Sequence, residues 1–200
     1  MQTAHPSRTI ANVVIPRSAV SSVALMVGFA LFTALAAQIR FPVPGTPVPI
    51  TGTTFAVLLT GAALGSRMGA GSMSIYWALG AIGLPFYTEA SGGWDVAVGA
   101  TGGYLVGFIV AAWVVGLLAE RGQDRTVASA IPAFLAGSVV IYLFGVSWLY
   151  YSVDAIDSMT AALAAGFTPF VIGDLIKVVL AGLLLPLAWK IVDRAKSEPR

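Results

Sequence analysis

The sequence predicts an all-α integral membrane protein, a bundle of six transmembrane helices with both termini in the cytoplasm. Three observations lead there. Of the 200 residues, 58% are hydrophobic and 10% charged, with a mean hydropathy of +0.87, whereas a soluble domain carries about a quarter charged residues. The apolar residues gather in six runs that approach the roughly 20 residues a helix needs to cross the hydrocarbon core. The basic residues then sort to one side of those runs, as cytoplasmic loops require. A formal charge of +2, with the basic residues scattered, argues against a nucleic-acid partner. The absence of Cys excludes disulfides, thiolate nucleophiles and Cys-ligated metals.

Residues 1–18 read as a cytoplasmic N-terminal segment interrupted by Pro6 and Pro16. The apolar run that follows is longer than a signal-peptide core, so no cleaved signal is expected. The first helix is predicted from Ala19 to Ile39. Ala30 and Ala34, with Ala37 nearly on the same face, make a stripe of small residues suited to close packing within the chain or against a partner. The loop after it carries Pro42, Pro44, Pro47 and Pro49, which hold the backbone extended and end the helix. This loop is either a rigid connector or a lid whose Thr46, Thr51, Thr53 and Thr54 face a cavity.

A short second helix, Thr51 to Ser66, and a third, Gly69 to Tyr87, are separated only by Gly65-Ser66-Arg67-Met68-Gly69, and so form a tight hairpin. The third-to-fourth loop combines Phe86, Tyr87 and Trp94 with the Gly92-Gly93 pair. It reads as interfacial anchoring or as backbone that approaches a ligand closely. The fourth helix runs from Val98 to Ala119, with Gly99, Gly103 and Gly107 at four-residue spacing; these glycines, with Gly61 and Gly65, are expected at helix contacts inside the chain. Glu120 and Asp124 alternate with Arg121 and Arg125 and read as a solvated charged turn. The fifth helix spans Ser129 to Tyr150 and the sixth Phe167 to Val192. Residues 19–192 are thus expected to form one domain, with 193–200 a cytoplasmic tail.

If six helices alternate, Arg8, Arg17, Arg67, Arg121, Arg125, Lys190, Arg194, Lys196 and Arg200 fall on one side and only Arg40 on the other, beside Glu89, Asp95, Asp154 and Asp157. That bias sets both termini inside. Lys177 remains within a span, three residues after Asp174 and therefore on the same helix face. Charges at membrane depth are costly and normally line a bundle interior or a cavity. At about 1.5 Å per residue, Lys177 lies roughly 12 Å below a helix start near Pro169, within reach of a pocket opening outward. The pair either ties two helices together or binds a ligand, Asp174 accepting and Lys177 donating hydrogen bonds; we take the ligand reading. The lone His5 and the absence of a second carboxylate beside Asp174 leave an intramembrane enzyme poorly equipped, and no G-x-x-x-x-G-K-[ST] loop is present for ATP hydrolysis.

The runs Val43-Pro-Gly-Thr-Pro-Val-Pro-Ile-Thr-Gly, Thr54-Phe-Ala-Val-Leu-Leu-Thr-Gly-Ala-Ala-Leu-Gly, Gly80-Ala-Ile-Gly-Leu-Pro-Phe, Thr101-Gly-Gly-Tyr-Leu-Val-Gly-Phe and Gly173-Asp-Leu-Ile-Lys, in this order and spacing, resemble the BioY-type, biotin-specific substrate-binding component of energy-coupling factor transporters. The resemblance covers Ala19 to Arg194. It implies a six-helix protein of the bacterial cytoplasmic (inner) membrane that captures biotin from outside and has no cofactor of its own. Its partners would be a coupling transmembrane subunit and two ATP-binding-cassette ATPases. It also implies toppling of the whole subunit in the membrane during transport.

Carried over residue by residue, the resemblance assigns the polar contacts to biotin to Asp174 and Lys177. It places Thr51, Thr53, Ser91, Gly92, Thr101 and Tyr104 along the cavity, and gives Ala30 and Ala34 the docking surface for the coupling subunit. Tyr76, Trp77 and Trp148 are either apolar walls or core packing. The chain departs from the family pattern at Ala100, often Pro, and at Thr53, often Gln, which touches rim contacts and not the fold. Another vitamin or small cofactor as ligand remains open to the residues alone, as does a homo-oligomeric state.

Overall fold

The computed structural model describes residues 9–15 and 18–197. His5, Pro6, Arg8, Pro16, Arg17 and Arg200, the side chain of Lys196, and so most of the expected N-terminal segment and the end of the tail, lie outside the described residues.

A short helix α1 (Ile10–Val14) precedes α2 (Ala19–Gln38). Ser18 starts α2: its Oγ accepts from the Ser21 backbone N–H at 3.0 Å, and its own N–H donates to Ser21 Oγ at 2.9 Å. This reciprocal pair satisfies donors that the first helical turn leaves free. Past Gln38 the chain enters β1 (Arg40–Phe41), which pairs antiparallel with β2 (Ile50–Thr51), Arg40 opposite Thr51 and Phe41 opposite Ile50. The four prolines lie between the strands, where no ladder N–H is needed. The loop is thereby folded back as a hairpin over the top of the next helix.

Helices α3 (Thr53–Leu64) and α4 (Ser66–Ala81) are joined by Gly65 alone, at φ +87°. The predicted five-residue link is shorter because Glu120 caps α4: its Oε1 accepts from Ser66 N at 2.8 Å and Ser66 Oγ at 2.9 Å. A carboxylate there meets both the free N–H and the positive end of the helix dipole. Two helices this close need small residues at the contact, and α4 supplies Gly69, where a Cβ would come within 3.0 Å of Gly61 Cα on α3; Gly61 in turn lets the helix carrying Ala112 approach. A Cβ on Gly61 would come within 2.6 Å of the Ala112 carbonyl oxygen.

α4 ends at Ala81, before the predicted Tyr87, because the chain reverses through Gly83 and Tyr87 folds back to donate its hydroxyl to the Trp77 carbonyl at 2.6 Å. A 3-10 turn (Thr88–Ala90) and α5 (Trp94–Ala97) lead to α6 (Gly102–Glu120), followed by α7 (Val127–Ser152). The next loop holds α8 (Met159–Gly166), a helix the sequence reading did not anticipate. Ser158 Oγ caps it by accepting from Ala161 N at 3.2 Å. A 3-10 turn (Thr168–Phe170) then opens α9 (Val171–Ser197), which starts later than the predicted Phe167.

α6 is the central helix, packed by α3, α4 and α7; α9 lies against α7 and α3, and α2 against α4 and α3. Each of the six predicted apolar runs holds one of α2, α3, α4, α6, α7 and α9. Among the described residues, α2, α6, α7 and the stretch Met159–Arg194 are long and apolar enough to cross a membrane; α3, with 12 residues, is shorter. The outward face of α9 suits an apolar surrounding medium, since Ile172, Ile176, Leu183, Leu187 and Ile191 are all more than half exposed while Val178, Ala181 and Leu185 are buried. Such a contiguous apolar exterior would not be tolerated in water.

Burial bears on two expectations. Ala30 is wholly buried and Ala34 is 7% exposed, both inside the main apolar cluster. Their stripe faces the chain's own α4 side, where Ser72 Oγ also donates to the Met26 carbonyl at 2.7 Å, so it serves packing inside the chain, one of the two roles expected of it. Asp124, by contrast with its expected place in a solvated turn, is buried. It is 2% exposed; Trp189 Nε1 donates to its Oδ2 at 2.6 Å, and the Arg125 guanidinium stacks 3.3 Å from the Trp189 ring. Burial raises the carboxyl pKa above its ordinary value, against the lowering effects of Trp189 and Arg125.

Candidate functional site

A cavity of about 240 Å³ lies beneath the β1–β2 hairpin. The hairpin forms its roof, the first turn of α3 and the opening turns of α6 its sides, and α7 and α9 its deep wall. Asp174 and Lys177, one turn apart on α9, project into it together. Lys177 Nζ donates to Asp174 Oδ1 at 2.6 Å and to Thr54 Oγ1 at 3.0 Å, and Thr54 Oγ1 donates in turn to Asp174 Oδ1 at 3.2 Å. The Tyr142 hydroxyl, from α7, donates to Asp174 Oδ2. The side chains of Asp174 and Lys177 are 9% and 17% exposed. A charge pair this deep persists only when its remaining hydrogen-bonding capacity is met, and Thr54 and Tyr142 meet part of it. Each carboxylate oxygen keeps further acceptor capacity for a ligand.

Of the predicted site residues, Thr51, Thr53, Ser91, Thr101, Tyr104, Asp174 and Lys177 all line this one cavity. Gly92 does not. It packs against the turn at Leu84, whose carbonyl oxygen a Cβ would approach to 2.3 Å. Thr51 and Thr53 share a hydroxyl–hydroxyl hydrogen bond. Tyr104 donates its hydroxyl to the Gly166 carbonyl at 2.7 Å, so it presents a ring face to the cavity and ties α6 to α8. Of the three suggested walls, Tyr76 lines the cavity, whereas Trp77 and Trp148 do not; Trp148 Nε1 donates to the Gly99 carbonyl at 2.9 Å. Thr46 does not line it either, but fastens the proline loop by donating to the Ala165 carbonyl at 2.7 Å.

Sequence reasoning missed Tyr142 and Arg40. Tyr142 sits in an apolar run with no pattern to set it apart. Arg40 entered only as the exception to the charge bias. At the mouth, Arg40 forms an ion pair with Glu89, and both line the cavity. Glu89 and Ala90 are consecutive non-glycine residues at φ +63° and +52°, each a conformation costing about 1–3 kcal/mol. The strain is held in place by Gln38, which accepts from Ala90 N at 2.9 Å and donates to the Tyr87 carbonyl at 3.0 Å. Beside this turn, burial pushes the Tyr87 phenol up to about 12.

The arrangement suits recognition more than chemistry. It offers one carboxylate, one ammonium, hydroxyls and aromatic walls facing a small enclosed space, the composition of a site for a compact amphipathic ligand.

Comparison with known proteins agrees in sequence and in shape. The chain matches the profile of the BioY family over residues 7–194. It is 43% identical over 142 residues to the biotin transporter BioY of Thermotoga maritima, covering 71% of this chain and 81% of that one. To the biotin transporter BioY of Rhodobacter capsulatus it is 42% identical over 167 residues, covering 77% and 87%. A probable biotin transporter BioY of Pyrococcus horikoshii is 36% identical over 162 residues, covering 81% and 92%. The crystal structure of the S-component for biotin from an ECF-type ABC transporter superposes with a TM-score of 0.73 over 90% of this chain and 93% of that one, at 23% identity, and so shares its fold.

Proposed function

The chain belongs to the BioY family, and on that premise we propose that it is the biotin-binding membrane subunit of an energy-coupling factor uptake transporter. The observation that carries this reading is the convergence of Asp174, Lys177, Thr54 and Tyr142, from three helices, on one cavity. Biotin offers two ureido N–H donors and a carbonyl acceptor on an apolar bicycle. Asp174 accepts from the N–H groups, Lys177 and the threonine hydroxyls supply donors, and Tyr76, Tyr104 and Phe108 enclose the ring system. Thr51, Thr53, Thr101 and Ser91 complete the polar contacts around it.

The helices α2, α3, α4, α6, α7 and α9 cross the membrane six times with both termini in the cytoplasm. The support is the distribution of Lys and Arg, which leaves Arg40 alone among basic residues at the outer mouth. The cavity then opens outward in a bacterial cytoplasmic membrane. The chain captures ligand and performs no catalysis; a coupling transmembrane subunit and two ATP-binding-cassette ATPases supply the energy for import.

Calorimetric titration of the detergent-solubilised chain with biotin, thiamin and riboflavin tests this. Saturable binding of biotin alone is expected. Binding of thiamin or riboflavin in its place would assign the cavity to another vitamin, and a folded chain that binds none of them would leave only the fold.

A further inference from the structure

The apolar exterior of the bundle carries a second concavity, of about 540 Å³, between α7, α8 and the first turns of α9. Its rims are exposed and apolar, with Val139 and Leu143 on α7, Leu163 on α8 and Leu175 on α9, and its floor includes the buried Val146 and Val178. α7 lines it from Leu135 to Ser147, about 18 Å at about 1.5 Å per residue. That length is close to one leaflet, half of the roughly 30 Å hydrocarbon core. A helix, about 10–12 Å across with its side chains, would need more than about 1,000 Å³ over the same distance. A single hydrocarbon chain, one methylene thick, fits. Among the described residues that line the groove Asp174 alone is charged, and its carboxylate is already engaged by Lys177, Thr54 and Tyr142. A lipid headgroup or a free anion therefore finds no counter-charge here, whereas an acyl chain needs none.

We propose that this groove binds one acyl chain of a bilayer lipid, and that the chain seals the ligand cavity on its membrane side. The two spaces share a wall: Tyr142 and Asp174 line both. Phe167, also in the groove, packs T-shaped against the Tyr142 ring with centroids 4.9 Å apart. A chain lying along the groove backs these two rings and keeps the Tyr142 hydroxyl on Asp174 Oδ2. It also keeps water from the shared wall, and the hydrogen bonds and ion pair around Asp174 are stronger in the low dielectric that results. A gap left there would deprive the groove lining of dispersion contacts on one side. The sealing role rests on the reading of the cavity's ligand as biotin; the chain site does not.

The test is photolabelling of the full chain in vesicles of phosphatidylcholine that carries a diazirine on one acyl chain, followed by peptide mapping. Light expels N2 and the carbene inserts into a neighbouring C–H bond, so adducts record where the chain lies. Adducts should concentrate on Val139, Leu143 and Leu163 over Ile172, Ile176 and Leu187, which are also exposed but lie outside the groove. Val139→Trp, whose ring fills the groove, should bring labelling of Leu143 and Leu163 down to the level of the open face, and Ile176→Trp should not; Leu143→Trp replaces Val139→Trp if that variant fails to fold. Labelling in simple proportion to exposure overturns the proposal, as do groove positions left unlabelled because a second copy or another protein covers them. In a steroid detergent, whose rigid rings do not enter so narrow a groove, wild type should bind biotin several-fold more weakly than after phosphatidylcholine is returned, and Val139→Trp should lose that dependence. Equal affinity with and without lipid overturns the sealing role. A chain that binds no biotin in either condition, yet is labelled in the groove, would remove the biotin reading and leave the chain site standing.

Discussion

Tyr142 of α7 donates its hydroxyl to Oδ2 of Asp174 on α9, while Lys177 and Thr54 occupy Oδ1 of the same carboxylate. Each oxygen is thus oriented by a different helix. The carboxylate is held in one plane before any ligand arrives, which lowers the ordering cost of binding.

Tyr142→Phe removes the donor to Oδ2 and little packing. The bond is present before ligand binds, so its loss, about 1.5–3 kcal/mol for a hydrogen bond to a charged group, should lower the melting temperature by several degrees, and biotin affinity should fall as well because the carboxylate is no longer held in place beforehand. Titration alongside thermal unfolding in detergent checks it, and wild-type affinity would show that Asp174 needs no help from α7.

Asp174→Asn and Lys177→Met each strand a buried charge, and breaking such a pair from one side costs about 3–5 kcal/mol. Each single variant should melt well below wild type. The double variant should regain much of that stability, since neither charge is left, yet still fail to bind biotin. Equal melting of single and double variants would mean the two groups are not coupled.

Ala30→Trp introduces a large ring at a position with no exposure, where overpacking costs about 1–3 kcal/mol or more. Biotin binding should therefore weaken together with stability, in the isolated chain. A variant that binds biotin normally and fails only to assemble with the coupling subunit would show that this face opens outward.

Gly61→Val places a branched side chain where even a Cβ lies 2.6 Å from the Ala112 carbonyl oxygen. α3 and α6 must then separate, and α3 carries Thr53 and Thr54. Loss of both melting temperature and biotin affinity is expected, in contrast to Gly45→Ala, where nothing lies within 4 Å of the new Cβ and the cost is limited to backbone strain at φ +81°.

Asp124 gives the protein a pH dependence of known sign. Its carboxyl pKa is raised in the fold by burial, so the native state binds more protons than the unfolded state between the ordinary value and the raised one, and this group's contribution to stability falls as pH rises through that window. Asp124→Asn keeps an acceptor for Trp189 and has nothing to ionise. Its melting temperature relative to wild type should be highest above the window and decline as pH is lowered through it. A difference that grows on acidification would contradict the burial.

Much of the site was legible without coordinates because its strongest signal is local. Asp174 and Lys177 stand three residues apart in an apolar run, and helical periodicity alone puts them on one face, where membrane depth makes them costly unless they point inward. The extended loop followed from four prolines, and the α3–α4 hairpin from a glycine between two apolar runs. Gly92 was harder to place because a glycine pair beside aromatic residues signals close backbone approach without saying to what; in the fold its close neighbour is the Leu84 turn. α8 was missed because eight residues in a loop lack the length that marks a crossing segment.

Composition, hydropathy and the sorting of Lys and Arg by themselves determined that this is a helical membrane protein with an inward-facing charge pair on its last helix, because those properties depend on the solvent and on contacts within one turn. Which residues complete the pair was decided only by tertiary structure. Thr54, Tyr142 and Asp174 are separated by up to 120 residues, and no local rule brings α3, α7 and α9 together at that depth. The same holds for the small residues: a four-residue spacing marks a smooth helix face, but the packing of α2 against α4 decided that Ala30 and Ala34 are covered by this chain.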